Sequence, residues 1–251
     1  KMLRAIQHAN ATTNASLIPT CLAAHMKPKD WHQDKDYLDV IINELFAIIK
    51  AENLARRVDA FVEESAFSPE EIKPYFQKAK EMGFDITVHA DQFTTGGSQV
   101  AVDFDAVSAD HLEVSTKKEI QLLAKSNTIA TALPGASIGL GCAYTPARKI
   151  LDAGGALSIA SDHNPGSAPM GDLLTQASIL GTFEKLSNTE VLAGITYRAA
   201  AALRLKDRGK LEAGAVADFV IFPTDNYQEI TYHQGQLRPS EVWKKGINVY
   251  K

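Results

Sequence analysis

Two hydrophobic periods alternate along this chain. Short apolar runs at 17–24, 58–62, 86–89, 106–111, 129–133 and 157–162 have the composition of strands, and each is followed by a stretch with helical periodicity. Between the first two runs, residues 37–51 place Leu38, Ile41, Ile42, Leu45, Ile48 and Ile49 on one helical face. Ser68-Pro69-Glu70-Glu71 reads as an N-cap with proline in the first turn and acids against the helix dipole, and Gly83 ends that helix. A helix over 115–126 opens on the capping signal Ser115-Thr116, and Thr145-Pro146 opens another that Gly154-Gly155 closes. Leu133-Pro134-Gly135 reads as a strand running into a loop, and helices continue through Leu205.

Successive βα units imply a parallel sheet with helices outside. A closed eightfold barrel takes roughly 250 residues by itself, more than the βα region supplies here. Residues 206–251 change character: Gly209 and Gly214 punctuate a β-rich tail containing Phe219-Val-Ile-Phe222. The expected fold is therefore α/β, a (β/α)8 TIM barrel over 1–205 that lacks its first two units, followed by a small C-terminal β region over 206–251. Lys1-Met2-Leu3-Arg4 reads as helix interior without a start signal. The expectation is that the chain is the C-terminal part of a longer enzyme.

With 251 residues, 45% hydrophobic and 22% charged, the chain can bury a sizeable core. A net charge of -4 and no basic stripe interleaved with aromatics argue against a nucleic-acid partner. Neither a membrane-length apolar run nor a signal-peptide pattern is present, so no membrane role and a cytoplasmic location are expected. Cys21 and Cys142 are far apart and form no CxxC pair, which suggests neither a disulfide framework nor a thiolate zinc site.

Three strand-like runs end in groups that bind metals or move protons: His89-Ala-Asp-Gln92, Asp110-His111 and Asp162-His163-Asn164-Pro165-Gly166-Ser167. In a parallel barrel the last inward side chains of the strands converge at one mouth. A lone His89 would read as a buried histidine satisfied by a carbonyl. The company of His111 and Asp162 favours a ligand for a divalent metal such as zinc or iron. Asp162 could instead cap a helix. Adjacent residues on a strand point to opposite faces, so only one of Asp110 and His111 is expected at the mouth. The same alternation separates Glu63 from Glu64, for which a loop role suffices. Asn164, Gly166 and Ser167 form a polar turn whose N–H groups and hydroxyl suit a carboxylate, or which is simply a turn. Arg148 either binds an anion or lies exposed in a first helical turn. His8, His32 and His233 are read as surface residues, and His163 is assigned no role.

Taken together, His89-Ala-Asp-Gln92, Ser108-Ala-Asp-His111-Leu112, Leu133-Pro-Gly135, Tyr144-Thr-Pro-Ala-Arg148, Asp162-His-Asn-Pro-Gly-Ser167 and Gly214-Ala-Val-Ala-Asp-Phe-Val220 resemble the imidazolonepropionase family of the metal-dependent amidohydrolase superfamily. The resemblance covers essentially the whole chain. It implies an amidohydrolase-type barrel of which these are the third to eighth strands, C-terminal strands of a small β-sandwich domain, and a full-length homodimer. It implies one divalent metal, zinc or iron, held by His89 and Asp162 together with a His-x-His pair on strands not seen here. Asp162 would also relay a proton, and His111 would polarise the scissile carbonyl, with Asp110 an acceptor behind the site. His25, Gln92, Asn164, Gly166 and Ser167 would contact a small-molecule substrate. The implied reaction opens the ring of 4-imidazolone-5-propanoate to N-formimidoyl-L-glutamate in histidine degradation. Gln92 stands where related deaminases place a proton-shuttling Glu, and an amide cannot shuttle protons, which favours ring hydrolysis. The alternatives are another cyclic-amide hydrolase, or an inactive fragment lacking the His-x-His pair.

Overall fold

The structure, a computed structural model, describes residues 1–31 and 36–250. They form two compact units, Lys1–Thr128 and Ile129–Lys251. His32 lies outside the described residues.

The first unit runs α1 (Met2–Thr12), β1 (Thr20–Ala24), α2 (Tyr37–Val40), α3 (Phe46–Ala51), β2 (Arg57–Val62), α4 (Pro69–Glu81), β3 (Asp85–Ala90), α5 (Gly97–Asp103), β4 (Ser108–His111) and α6 (Lys117–Ala124). Strands β1 to β4 pair in sequence order, all parallel. Every residue of β2 is buried, as expected of a parallel strand covered on both faces. The strand expected over 17–24 begins only at Thr20, after Pro19, which has no N–H for a ladder. The amphipathic stretch 37–51 is helical, but Ile41–Leu45 winds as a π turn between α2 and α3. That wider turn shifts the helical phase of α3 by about one residue. Phe46 and Ile49 therefore face the core, while Ile48, expected on that face, is 45% exposed.

Helix α4 starts where the sequence indicates. The Ser68 hydroxyl accepts the Glu71 N–H at 3.3 Å, and the Glu71 carboxylate accepts the Ser68 N–H at 2.8 Å. Its buried Tyr75 packs on Phe46 with ring centroids 5.0 Å apart. Burial pushes the Tyr75 phenol well above its ordinary range, leaving it a neutral donor, and it donates to the Asp59 carbonyl at 3.0 Å. Helix α6 is capped by Thr116 rather than Ser115, because the Ser115 hydroxyl is turned inward to the Asp91 carboxylate at 2.7 Å.

The second unit runs β5 (Ile129–Ala132), α7 (Pro134–Leu140), α8 (Ala147–Asp152), β6 (Leu157–Ile159), α9 (Leu173–Phe183), α10 (Asn188–Ile195), α11 (Tyr197–Ala202), β7 (Phe219–Ile221), α12 (Gln228–Tyr232), β8 (Glu241–Lys244) and β9 (Ile247–Asn248). Strands β5 and β6 are parallel; β7, β8 and β9 form an antiparallel sheet in which Phe219 stacks on Trp243. The expected loop at 133–135 is instead the start of α7, with Pro134 preset for a first helical position.

Arg148 spends its charge inside this unit. Its guanidinium meets Glu190 at 3.0 Å and Asp152 at 2.9 Å. The Arg148 hydrogen bond, followed by the Ser187 N–H, lowers the Glu190 carboxyl from 4.5 to about 2. A carboxylate whose value is depressed on folding stabilises the fold above its ordinary value and loses that contribution as pH falls through the folded one. The stability difference between wild type and Arg148→Met is therefore expected to hold steady above about pH 4.5 and to shrink progressively as pH falls toward about 2, read from urea midpoints across that window. A difference that grew with acidity would contradict the pairing.

Candidate active site

Strand register builds the first half of the site. Asp59 lies opposite Thr87, Phe61 opposite His89, and His89 opposite Asp110. Residues two apart on a strand share a face, so Asp59, Phe61, Thr87, His89 and Asp110 all project to one side. The Asp59 Oδ1 is 2.7 Å from His89 Nδ1, and the Thr87 hydroxyl donates to Asp59 Oδ2. His25, one residue past β1, stacks on Phe61 at 5.0 Å and meets the His89 ring edge-on at 5.5 Å. The His111 ring lies 5.3 Å from that of His89. His25 and His111 thus both lie against the His89 ring.

The expectation that only one of Asp110 and His111 could reach the mouth does not hold. His111 has φ +82° and Leu112 φ +72°, so the chain leaves the extended conformation at the strand end and alternation stops applying there. Asp110 shares a face with His89 by register, and His111 swings to the same ring. Asp59 is the residue that the sequence reading missed. Its signal was available: an acid in the middle of the apolar run Val58-Asp-Ala-Phe-Val62.

The loop after β3 is held by two buried carboxylates. Glu63 accepts the N–H groups of Gln92 (2.8 Å), Phe93 (3.0 Å) and Thr94 (2.9 Å) and the Thr94 hydroxyl. Asp91, at φ +49°, accepts the N–H groups of Gly96 and Ser98 and the hydroxyls of Ser98 and Ser115. Gln92 is consequently fixed, and it is buried. Glu64 is exposed, so the two glutamates form no acid/base pair. His8 and His233 are exposed, as expected.

In the second unit, Asp162 lies beyond β6 in the left-handed region at φ +50°. It caps no helix: the N-cap of α9 is Asp172, which accepts the Thr175 N–H at 3.1 Å. Asn164 organises the adjoining turn. Its Oδ1 accepts the N–H groups of Gly166 and Ser167, each at 2.8 Å, and its Nδ2 donates to the Asp162 carbonyl at 2.7 Å. Those two amide hydrogens are therefore committed within the turn. Helix α7 packs closely here, since a Cβ added to Gly139 would lie 1.8 Å from the Ser167 carbonyl oxygen. Gly139→Ala is expected to displace the turn and to cost about 1–3 kcal/mol of stability, the usual scale for overpacking. A denaturation midpoint unchanged from wild type would show that the turn is not held by α7.

The donor set of the first unit suits a divalent cation. Donor atoms of Asp59, His89 and Asp110 lie within 4.8 Å of one another, close to twice the ~2.1 Å of a zinc–ligand bond. The three are not equivalent, however. Both Asp59 oxygens are already engaged, Oδ2 by the Thr87 hydroxyl and Oδ1 by the ring of His89 itself, which is the arrangement of a carboxylate behind a metal-binding histidine. Imidazole with carboxylate matches the preferences of zinc and iron.

Comparisons with known proteins agree with this picture. Residues 7–250 match the family described as the amidohydrolase family. An imidazolonepropionase from Deinococcus deserti is 38% identical over 250 residues, covering 99% of this chain and 61% of that protein. One from Acinetobacter baumannii is 37% identical over 253 residues, covering 99% of this chain and 63% of that protein. The chain thus spans less than two thirds of the length of these relatives. Among solved structures, a triazine hydrolase variant superposes with TM-score 0.78 at 17% identity, over 99% of this chain and 64% of that one. An adenosine deaminase from Xanthomonas campestris with bound zinc gives TM-score 0.75 at 17% identity, over 96% of this chain and 62% of that one. At that identity the likeness speaks for the fold alone, an amidohydrolase-type α/β fold.

Proposed function

Starting from the fact that this chain belongs to the amidohydrolase family, we propose that it forms part of an enzyme that hydrolyses 4-imidazolone-5-propanoate to N-formimidoyl-L-glutamate in histidine degradation. The observation that carries the reading is the identity of 38% and 37% to imidazolonepropionases across 99% of the chain. The placement of His25 and His111 against the His89 ring supports it. Residues 1–205 would belong to the (β/α)8 barrel and 206–251 to the small β-sandwich domain of a cytoplasmic homodimer. Among the described residues, no helix is long and apolar enough to cross a membrane.

His89 and Asp162 would hold the divalent cation, zinc or iron. When bound, such a cation supplies Lewis-acid chemistry. Asp162 takes a proton from the water that adds to the ring carbonyl carbon, and returns it to the ring nitrogen as the carbon–nitrogen bond breaks. His111 donates a hydrogen bond to the carbonyl oxygen as negative charge develops there. Gln92, fixed by the Glu63 clasp on its backbone, and His25 hold the ring. Asn164, Gly166 and Ser167 contribute a turn already shaped by its internal hydrogen bonds rather than spare backbone donors.

The test is to incubate 4-imidazolone-5-propanoate with zinc-supplemented or iron-supplemented protein and identify the product by mass spectrometry. Two forms are assayed: the 251-residue chain, and the chain fused to the portion of the Deinococcus deserti relative that has no counterpart in it. N-formimidoyl-L-glutamate from either form is the expected result. Turnover of a different cyclic amide with none of this substrate would replace the proposed substrate.

A further inference from the structure

The geometry points to Asp59 and Thr87 as positioning residues that fix the His89 ring with its hydrogen on Nδ1 and its lone pair on Nε2 before any cation arrives. The inference rests on the proposed ligand role of His89 only for its bearing on metal binding; the ring assignment stands on hydrogen bonding alone.

Asp59 is 4% exposed and sits mid-strand in β2, where all other residues are buried as well. A carboxylate in such a place is costly unless its oxygens accept hydrogen bonds. Both oxygens have a partner. Oδ1 meets His89 Nδ1 at 2.7 Å, and Oδ2 takes the Thr87 hydroxyl. An ionised carboxylate can only accept, so Nδ1 is the donor of that contact. A neutral imidazole with its hydrogen on Nδ1 presents its lone pair at Nε2, the form in which a histidine ligates a metal through that atom.

The positions of the participants are set by the fold. Asp59 and Thr87 are register partners on adjacent strands, and Thr87 and His89 are two residues apart on the same face of β3. The Tyr75 phenol anchors the Asp59 backbone from behind. Phe61 stacks on His25, which abuts the His89 ring, so rotation of that ring is opposed from the front as well. Thr87, Asp59 and His89 thus form a chain in which a hydroxyl orients a carboxylate and the carboxylate orients a ring. Carboxylates placed behind ligating histidines also raise their basicity toward the metal.

The experiment uses the 251-residue chain carrying isotope-labelled histidine, without metal. Long-range hydrogen–nitrogen correlation spectra report the tautomer of each ring, and His89 is assigned from the signal lost in His89→Gln. The expected wild-type spectrum shows a pyrrole-type Nδ1 and a pyridine-type Nε2 at His89. In Asp59→Leu, which removes both acceptors without burying a new polar group, His89 is expected to shift to a mixture of tautomers. Zinc affinity, measured by competition with a chromophoric chelator, is expected to fall about 10–100-fold. Thr87→Val should reproduce part of both effects, and Thr87→Ser, which keeps the hydroxyl, should restore them.

A pyrrole-type signal at Nε2, or at both nitrogens of His89, would overturn the inference. So would loss of zinc affinity in Asp59→Leu with the tautomer unchanged, because Asp59 would then be a direct ligand. If Asp59→Leu does not fold, the wild-type spectrum and the Thr87 pair decide. No readout involves the substrate. Failure of the proposed reaction leaves the tautomer result standing, and failure of the tautomer result leaves the reaction open to its own assay.

Discussion

Asp162→Asn is expected to lower kcat/KM for imidazolone ring hydrolysis by about 10²–10⁴-fold, the range associated with a lost general acid or base. The substitution isolates chemistry from folding. Asp162 sits at φ +50°, a region that asparagine enters as readily as aspartate, and its carbonyl keeps the hydrogen bond from Asn164. The change removes the negative charge, and with it both roles proposed for Asp162, proton relay and carboxylate ligand. Steady-state kinetics decide the matter, with urea midpoints measured alongside to show that the fold is intact. Retention of more than about a tenth of the wild-type value, a cost under about 1.4 kcal/mol, would be too small for both roles and would remove Asp162 from the mechanism.

The second large effect is expected from His89→Ala, acting through the metal. Zinc affinity should fall beyond the ~10–100-fold typical of losing an outer partner. The same change leaves Asp59 Oδ1 without its ring donor inside a strand that is buried throughout. Stability should therefore drop too, by about 1–3 kcal/mol for an unsatisfied buried acceptor. Elemental analysis and a chelator titration read the first effect, and denaturant unfolding reads the second. Full metal occupancy with unchanged affinity would remove His89 from the ligand set.

The parallel architecture was legible because apolar runs and capping signals are local. All six strand-like runs became strands, and Ser68 capped α4 as its spacing with Glu71 indicates. The misreadings share a cause, which is that a strand or helix rule was applied beyond the point where the backbone obeys it. Alternation could not see that φ turns positive at His111, so it separated two residues that both reach His89. A regular helical period could not anticipate the π turn at Ile41–Leu45, and it placed Ile48 where Phe46 stands. Asp59 went unnoticed because its significance depends on register with a strand some 30 positions away, which no local pattern carries. In the Asn164 turn both readings, carboxylate cradle and plain turn, used the same residues. Only the hydrogen bonds from Gly166 and Ser167 show where the amides go.

The Glu63 and Asp91 carboxylates answer to neutral partners: peptide N–H groups and hydroxyls surround them, and none of the hydrogen bonds described for them comes from a lysine or arginine. Dissolved ions screen attractions between exposed charges over a length of about 10 Å at 0.1 M, but short buried contacts between an anion and fixed dipoles are screened much less. The loop that carries Gln92 should therefore keep its shape in brine as in dilute buffer, while exposed surface pairs such as Arg4 with Glu52 loosen. Under the proposed reaction, any salt dependence of turnover should then come from the approach of the anionic imidazolone propanoate rather than from this loop.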